Sequence, residues 1–599
     1  MIKNYFLIVK KIILVLLFFL IFSNKLYAEN IDEDKTYSSD DSSTQYDFTA
    51  DNVGVTVTGN TTLSRSQKLF TFDDAERTGN TITVNSGSTV TTETNGNTIF
   101  TDGADLTIIN SGTISTLANK SKAINVSKSD GVSITNNSGG VITTGGNTIL
   151  GNANTGADNT TIVNSGQIIS TNSTSSSSAI IFADNDTGTT ITNNLGGEIT
   201  SKGNKGTIIV GVSSTITNSG TIKNNKSVDK NVIQLKGNNN TITLKDEGIV
   251  VGMIKAASGT TGNTLKLNHG VGKSYYYDTS GTFTLEDLDG NQVVKGSAGS
   301  VGQGGSEILD ELLGTKSLNI RQSLSKYKNA EEDLKENQSW GEINLSTFKR
   351  KQNNQNLSLG FNSADLTINL MYPDHGKDFI LSLGNGNQKF TKDYAVNRHS
   401  LHTGFFFRDH PIFNKFGDES FILGGVNLKK SEREILTNTT SSGKLSITDN
   451  FETYDLIIGT KINNDFIIPN IGATLGLSYT PSHKESNYYS WDKKEVSNLS
   501  IYLDDDYKLN LGKNYQLNLG WILDARQMVL GKEQNYEING TSAIYSQDTD
   551  LTKEVTLATN LGFDKKITDD HFFKFNLDST ISTQELTSFT GNFAYKFAF

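Results

Sequence analysis

The chain has 599 residues, with 56 Gly, only 4 Pro, no Cys and a formal net charge of −11. That length exceeds what one compact core fills, so several domains are expected. The lack of Cys excludes a disulfide scaffold and thiol chemistry, and the mild acidity disfavours nucleic acid as a partner, because phosphate binding needs clustered Lys and Arg.

At the N-terminus, Lys3, Lys10 and Lys11 form a basic region beside an unbroken apolar run, Ile12 to Phe22. Acidic Glu29, Asp32, Glu33 and Asp34 follow Ala28. This pattern predicts a signal peptide over 1–28, with cleavage at Ala28. A membrane-anchoring helix is the rival reading, and the run is short for one. No other apolar stretch approaches that length, so any further crossing of a membrane falls to β-strands.

From about residue 50 to 270 a unit of the form Ile-Thr-Asn-Ser-Gly-Thr-Ile recurs. Its marker residues are Asn85, Asn110, Asn136, Asn164, Asn193 and Asn218, separated by 25, 26, 28, 29 and 25 positions. A weaker copy follows at Ile242-Thr243-Leu244. Each repeat carries about three short strand-like pieces joined by turns, since Ile and Val favour strands while Asn and Gly tolerate tight turns. So short a strand cannot bury its apolar face alone. Stacking coil on coil buries a column of Ile and Val and pairs the backbone. The expectation is a right-handed parallel β-helix (a β-solenoid) of about eight or nine coils, each rising ~4.8 Å. The marker Asn residues read best as a structural ladder stacked along the axis, with a ligand-binding stripe as the alternative. The Ser-rich patch Ser173 to Ser178 reads as a loop.

The repeat fades near Asn268. Tyr275, Tyr276, Tyr277, Phe283 and Leu285 then predict a cap over the end of the rod, with a binding patch as the alternative. Gly296 to Gly305 reads as linker. In Ser306 to Asn337, Ile308, Leu309, Leu312, Leu313, Ile320, Leu324, Tyr327 and Leu334 lie at helical spacing, with charges opposite. Gly314 is expected to divide this helix. It is too charged to face lipid and suits a polar lumen.

From Trp340 onward the hydrophobic period is two. Tyr515, Leu517, Leu519, Trp521 and Leu523 share one face, and Gln516, Asn518, Gly520 and Asp524 the other. Phe573, Phe575, Leu577 and Ile581 oppose Lys574, Asn576 and Asp578 in the same way, as Leu401, Phe405 and Phe407 oppose His402, Gly404 and Arg408. Such strands face lipid outside and water inside. About twelve are predicted, an even number that closes an antiparallel barrel without an edge. The last of them, Phe593-Ala594-Tyr595-Lys596-Phe597-Ala598-Phe599, is aromatic at every second position.

Signal peptide, repetitive β-helix, helical linker and C-terminal barrel, in that order, resemble a monomeric autotransporter of type V secretion. Ser339-Trp340-Gly341-Glu342-Ile343 is similar to the opening of that family's barrel domain. Phe593, Tyr595, Phe597 and Phe599 resemble the family's C-terminal signature, read by the barrel-insertion machinery. The fold class expected is therefore all-β: a β-helical passenger (29–295), a linker with a lumen helix (296–338) and a 12-stranded transmembrane barrel (339–599). The resemblance implies an outer-membrane location, with the passenger at the cell surface or released. It implies outer-membrane lipid, the insertion machinery and periplasmic chaperones as partners, and no cofactor. It also implies that the passenger emerges through or beside the barrel. Coils folding outside, nearest the barrel first, then act as a ratchet, since a folded solenoid cannot slide back.

Passengers of this family include proteases, esterases and adhesins. The one passenger His, His269, has no Gly-Asp-Ser-Gly or Gly-x-Ser-x-Gly motif before it and reads as a loop residue. Asp287-Leu288-Asp289-Gly290-Asn291 partly matches a calcium loop but lacks the remaining ligands, and reads as a turn, as does Asp184-Asn185-Asp186. No Cys/His cluster supports zinc. No catalytic, cofactor-binding or metal residue is assigned. Adhesion or autoaggregation, through a cell-surface or glycan ligand, is the leading expectation. A polysaccharide lyase or hydrolase on the same scaffold is the alternative, and a soluble solenoid with a misread C-terminus is a third.

Overall fold

The computed structural model describes residues 28–598 apart from 73–76, 95, 118–120, 152–156, 174–176, 292, 295–297, 301–306, 332–337, 352–359, 392–393, 410–414, 416, 464–468, 487, 539–543, 549–551 and 569–570. The predicted signal peptide therefore lies outside the described residues, except for Ala28.

Three parallel sheets form the N-terminal rod. The first runs from Ala28–Ile31 to Thr279–Ser280, the second from Lys35–Tyr37 to Thr284–Asp287, and the third from Thr62–Arg65 to Ile249–Val251. Each strand pairs with its counterpart about one repeat away, so the rod is a β-solenoid. Most strands are four residues long and alternate half-buried with buried, as period two requires. In the second sheet Ile82, Ile108, Ile134, Ile162, Ile191, Ile216 and Ile242 stack in register as a fully buried column. In the third, Ile114, Ile142, Ile168, Ile199 and Ile222 do the same. The first sheet adds its own buried column, Ile99, Ile124, Ile149, Ile180 and Ile208. At about 25 cal/mol per Å² of buried apolar surface, such columns are the main stabilising element of the rod.

The rod begins earlier than the marker repeats indicate. Its first coils, from Ala28, lack the Ile-Thr-Asn unit and fill their interior with Tyr46, Phe48, Phe70 and Phe72 instead. Phe48 and Phe72 stack at 4.2 Å. Bulky rings replace the Ile column there, which hides those coils from a search for the repeat.

Glu307–Glu331 is one continuous helix. Gly314 does not divide it. The Arg526 guanidinium occupies the space where a Cβ at that position would lie, so the side chain that Gly lacks leaves room for this arginine.

Twelve antiparallel strands follow, from Gln338–Arg350 to Leu586–Ala598. The first pairs with the last over Gln338↔Ala598 to Arg350↔Leu586, so the barrel is closed. The fifth (Glu419–Thr437) and sixth (Lys444–Ile462) are 19 residues each, the longest with the eighth (Lys494–Gly512). Their shared hairpin runs beyond the wall. Beside it lies a small sheet of His483–Glu485, Tyr489–Trp491, Glu533–Ile538 and Ile544–Asp548, built from segments between barrel strands. Ile435, Ile447, Tyr489, Trp491 and Tyr536 form a separate core between the two.

Candidate functional site

The barrel wall has two faces of opposite chemistry. Ile343, Leu345, Leu401, Leu475, Leu519, Leu561, Leu577 and Phe593 point outward and are exposed. Asn344, His402, Thr474, Asn518, Asp564, Asn576 and Asn592 point inward and are buried. A ring apolar outside and polar inside matches a bilayer around a wet lumen. Phe407 departs from the expected outward face and is buried, while Phe406 turns inward and packs edge-on against Tyr327 of the helix.

The helix fills that lumen, held by one polar contact after another along its length. Lys316 Nζ donates to Ser382 Oγ at 2.7 Å. Arg321 pairs with Asp524 at 2.6 Å and lies 4.6 Å from the Tyr502 ring. Lys326 pairs with Asp578 at 2.6 Å. Ser323 donates to Glu342, which also accepts from Asn369 Nδ2 at 3.0 Å. Tyr327 Oη and Arg408 both donate to Asp378, and Lys328 pairs with Glu419 at 2.5 Å. Between these, Leu313, Ile320 and Leu324 meet inward-facing apolar residues including Phe421, Leu423 and Ile457. Charge pairs buried in this way add little net stability over apolar pairs of the same shape, but losing one partner of a pair is costly.

The direction of the helix is fixed by these partners. Asp378 and Glu419 stand at the starts of the third and fifth strands, the same mouth at which the first strand begins. The C-terminal end of the helix lies there. The fifth and sixth strands turn at the opposite mouth, and there the solenoid is attached.

That attachment is built from backbone as well as side chains. Tyr275–Tyr277, the expected cap, pairs in parallel with the end of the fifth strand, Tyr275↔Leu436 and Tyr276↔Thr437. It pairs on its other side, antiparallel, with Ala298–Ser300, so part of the Gly-rich tract read as linker is a strand. Leu436 joins the solenoid core. Asn438 is buried at the turn: its Nδ2 donates to the carbonyls of Gly252 (2.9 Å) and Asp278 (2.8 Å), and its Oδ1 accepts from Asp278 N (2.8 Å). Gly252 N in turn donates to Asn438 O at 2.9 Å. Arg433 lies buried below this, paired with Glu485, stacked 3.9 Å over the Tyr394 ring and donating to Ser274 Oγ.

His269 sits just above the junction, in the bend after Thr264–Asn268 as a loop residue should, and is buried there, with Tyr277 Oη 3.0 Å from its Nε2. Burial, helped by the nearby Lys273 ammonium, pushes its imidazole down to about 4. Asp287 closes the expected turn by accepting from the Asp289 and Asn291 amides.

The marker amides separate into two groups. Asn110 donates to Asn136, Asn136 to Asn164, Asn164 to Asn193 and Asn193 to Asn218, each at 2.8 Å, all fully buried. Asn85 is not in this column. The position in register with Asn110 is Val84, because the first marker unit carries an extra residue before its Asn. At the barrel's end, Phe593 is exposed on the outer face and Tyr595 is half-buried; the side chain of Phe597, and Phe599, lie outside the described residues. Sequence reasoning missed Asn438, in a turn, and Arg433 and Glu485, near the ends of strands, which are single polar residues with no motif around them.

No family model and no curated protein matches this chain. Among solved structures, it is similar to the translocator domain of autotransporter NalP from Neisseria meningitidis, at 11% identity and TM-score 0.30, over 48% of this chain and 98% of that one. It is similar also to the beta domain of the Bordetella autotransporter BrkA (11%, TM-score 0.27, 44% and 98%) and the transport unit of autotransporter AIDA-I from Escherichia coli (11%, TM-score 0.26, 44% and 90%). The chain is a β-solenoid followed by a closed twelve-strand barrel. Its own strand pairings establish that, and the likeness covers less than half of the chain.

Proposed function

We propose that this chain is an outer-membrane autotransporter: its barrel passes its own solenoid outward and then holds it at the cell surface. One observation carries the reading. The helix threads the lumen with its C-terminal end at the mouth where the first strand begins, while the solenoid preceding it docks at the other mouth. A solenoid wider than a single chain reaches that position only by passing as unfolded chain and folding beyond the barrel. Because the chain has no Cys, a single Cys placed at Lys226 reports its side of the membrane. Labelling of that Cys by a membrane-impermeant maleimide on intact cells is expected; labelling only after lysis refutes export.

The displayed solenoid is proposed to adhere. Its long faces of small, half-exposed polar side chains support a broad contact surface rather than a pocket. Retention of expressing cells on a surface, lost when the solenoid is shaved by protease, is the test.

A further inference from the structure

The outward face of the second sheet is unlike the other two. Its strands pair one to one from Gly54–Val57 to Thr264–Asn268 with no register shift. The first sheet is interrupted twice, at Phe182/Thr187 and Asn231/Ile233. Two columns therefore run along the second face. One reads Thr81, Thr107, Ser133, Thr161, Thr190, Thr215, Thr241. The other reads Thr56, Thr83, Ile109, Thr135, Val163, Thr192, Thr217, Thr243. All are half-exposed, and none is charged; beyond Thr243 the second column continues as Lys266, which pairs with Glu286, so the uncharged stretch ends there. The third face, by contrast, is broken by Gln167, Glu198 and Lys223.

No hydrogen bond involves a side-chain hydroxyl of these columns among the described residues, whereas on the third face Ser115 Oγ donates to Thr91 Oγ1 at 2.9 Å. The second-face hydroxyls are left to water. Their positions are rigid for two reasons. Thr is β-branched and stiff at χ1. One edge of the sheet is also braced by amides on both sides: the buried column from Asn110 to Asn218 inside, and Asn137–Ser111 and Asn194–Ser165 outside, each at 2.9 Å.

The grid has fixed dimensions. Neighbouring strands are ~4.8 Å apart and alternate residues along a strand ~6.7 Å apart. Waters joined tetrahedrally by O–H···O bonds of about 2.75 Å have second neighbours about 4.5 Å apart and a layer repeat near 7.3 Å, roughly 8/3 of the bond. Both repeats agree with the Thr grid to within about a tenth. An uncharged face selects an uncharged occupant. The stripe has no aromatic ring to stack on a sugar and no carboxylate or amide to grip its hydroxyls. Its side chains are too short to interlock with a protein partner.

We propose that the Thr face of the second sheet binds the ordered water of an ice surface. Each Thr supplies a hydroxyl to the water lattice and a methyl that fits between its sites. This inference names a target for the adhesive reading, and its test does not require export.

The experiment uses the full-length chain extracted in detergent and partitioned between slowly growing ice and the remaining liquid. Enrichment of the wild-type chain in the ice is expected. Thr192→Tyr with Thr217→Tyr, in the middle of the stripe, is expected to abolish it. Thr143→Tyr with Ile169→Tyr, paired half-exposed positions on the third face, is expected to leave it unchanged. Unaltered protease resistance of the solenoid shows that each variant is folded, and Thr192→Lys provides a second disruption of the same face. Exclusion of the wild-type chain from ice overturns the proposal, as does equal enrichment of the two double variants. If the wild-type chain is excluded from ice but retained on powdered cellulose or chitin, or self-associates through this face in sedimentation, the occupant is a glycan or a second copy and the proposal is wrong.

Discussion

Arg433 and Glu485 face each other at 3.0 Å, each side chain 2% exposed, where the fifth barrel strand leaves the wall and reaches the base of the solenoid. The pair joins the hairpin to the small sheet beside it. Removing one partner leaves the other charged and dry, which costs about 3–5 kcal/mol. Arg433→Ala is therefore expected to loosen the junction, read as faster protease cleavage near Tyr275. Arg433→Met combined with Glu485→Leu removes both charges and is expected to recover much of the resistance. No recovery would show that geometry, not the buried charge, dominates.

Asn438 satisfies three backbone groups of the solenoid at once. Asn438→Ala orphans the buried carbonyl of Gly252, worth about 1–3 kcal/mol when unsatisfied, and releases the amide and carbonyl of Asp278 at the rim. Amide exchange at Asp278 is expected to rise by at least an order of magnitude, with little change at Ile162, many coils away. Uniform exchange along the rod would contradict a local clamp.

Protonation of His269 is predicted to weaken the last coils. Its folded value, about 4, lies below the ordinary 6.5 because burial disfavours the cation. For a base depressed by folding, the stabilisation is present above the ordinary value and is lost as pH falls towards the folded one. At 1.36 kcal/mol per pH unit, the loss between 6.5 and 4 is about 3 kcal/mol. Pulse proteolysis in urea near Thr264–Asn268 should show a falling midpoint over that window, and His269→Gln should flatten it. An equal slope in the variant would assign the effect to other groups.

The amide column predicts unequal costs for the same substitution. Asn164 donates to Asn193 and to the Gly166 carbonyl and accepts from Asn136, all inside the rod. Asn164→Ala should cost about 2 kcal/mol or more, since buried partners are left unmet. Asn85, half-exposed beside the column, should cost less than about 0.5 kcal/mol. Comparable losses in urea unfolding would rule out this assignment.

In the lumen, Arg321→Ala with Lys326→Ala breaks two ion pairs between the helix and the wall. At about 3 kcal/mol for each broken buried pair, the helix should leave the lumen part of the time. Planar-bilayer recordings of the purified chain are expected to show larger and more frequent conducting steps than the wild type. Identical traces would mean that the apolar contacts of Leu313, Ile320 and Leu324 suffice to hold it.

Both architectures were legible because both repeat: Ile at every second residue within a coil, lipid-facing Leu and Phe at every second residue within a barrel strand. Register within the repeat was legible only where the pattern was unbroken, which is why Asn85 was aligned with a column that Val84 occupies. The first coils were illegible because aromatic rings fill them. Gly314 reads as a break because a Gly in isolation suggests one, and its neighbour in space, the guanidinium of Arg526, is over two hundred residues away in the chain. The junction had no local signal at all. Asn438, Arg433 and Tyr275 come together through long-range strand pairing, which no window along the chain contains.

The strand shared by rod and barrel has a consequence for processing. Leu436 N donates to Ser274 O at 3.1 Å, and the Asn438 bonds lie just beyond, so the two halves are held by pairing as well as by the peptide chain. Cutting the polypeptide between the last coil and the plug removes only the covalent tether. The severed rod is expected to remain seated on its pore, the two fragments co-eluting in size-exclusion chromatography until denaturant parts them.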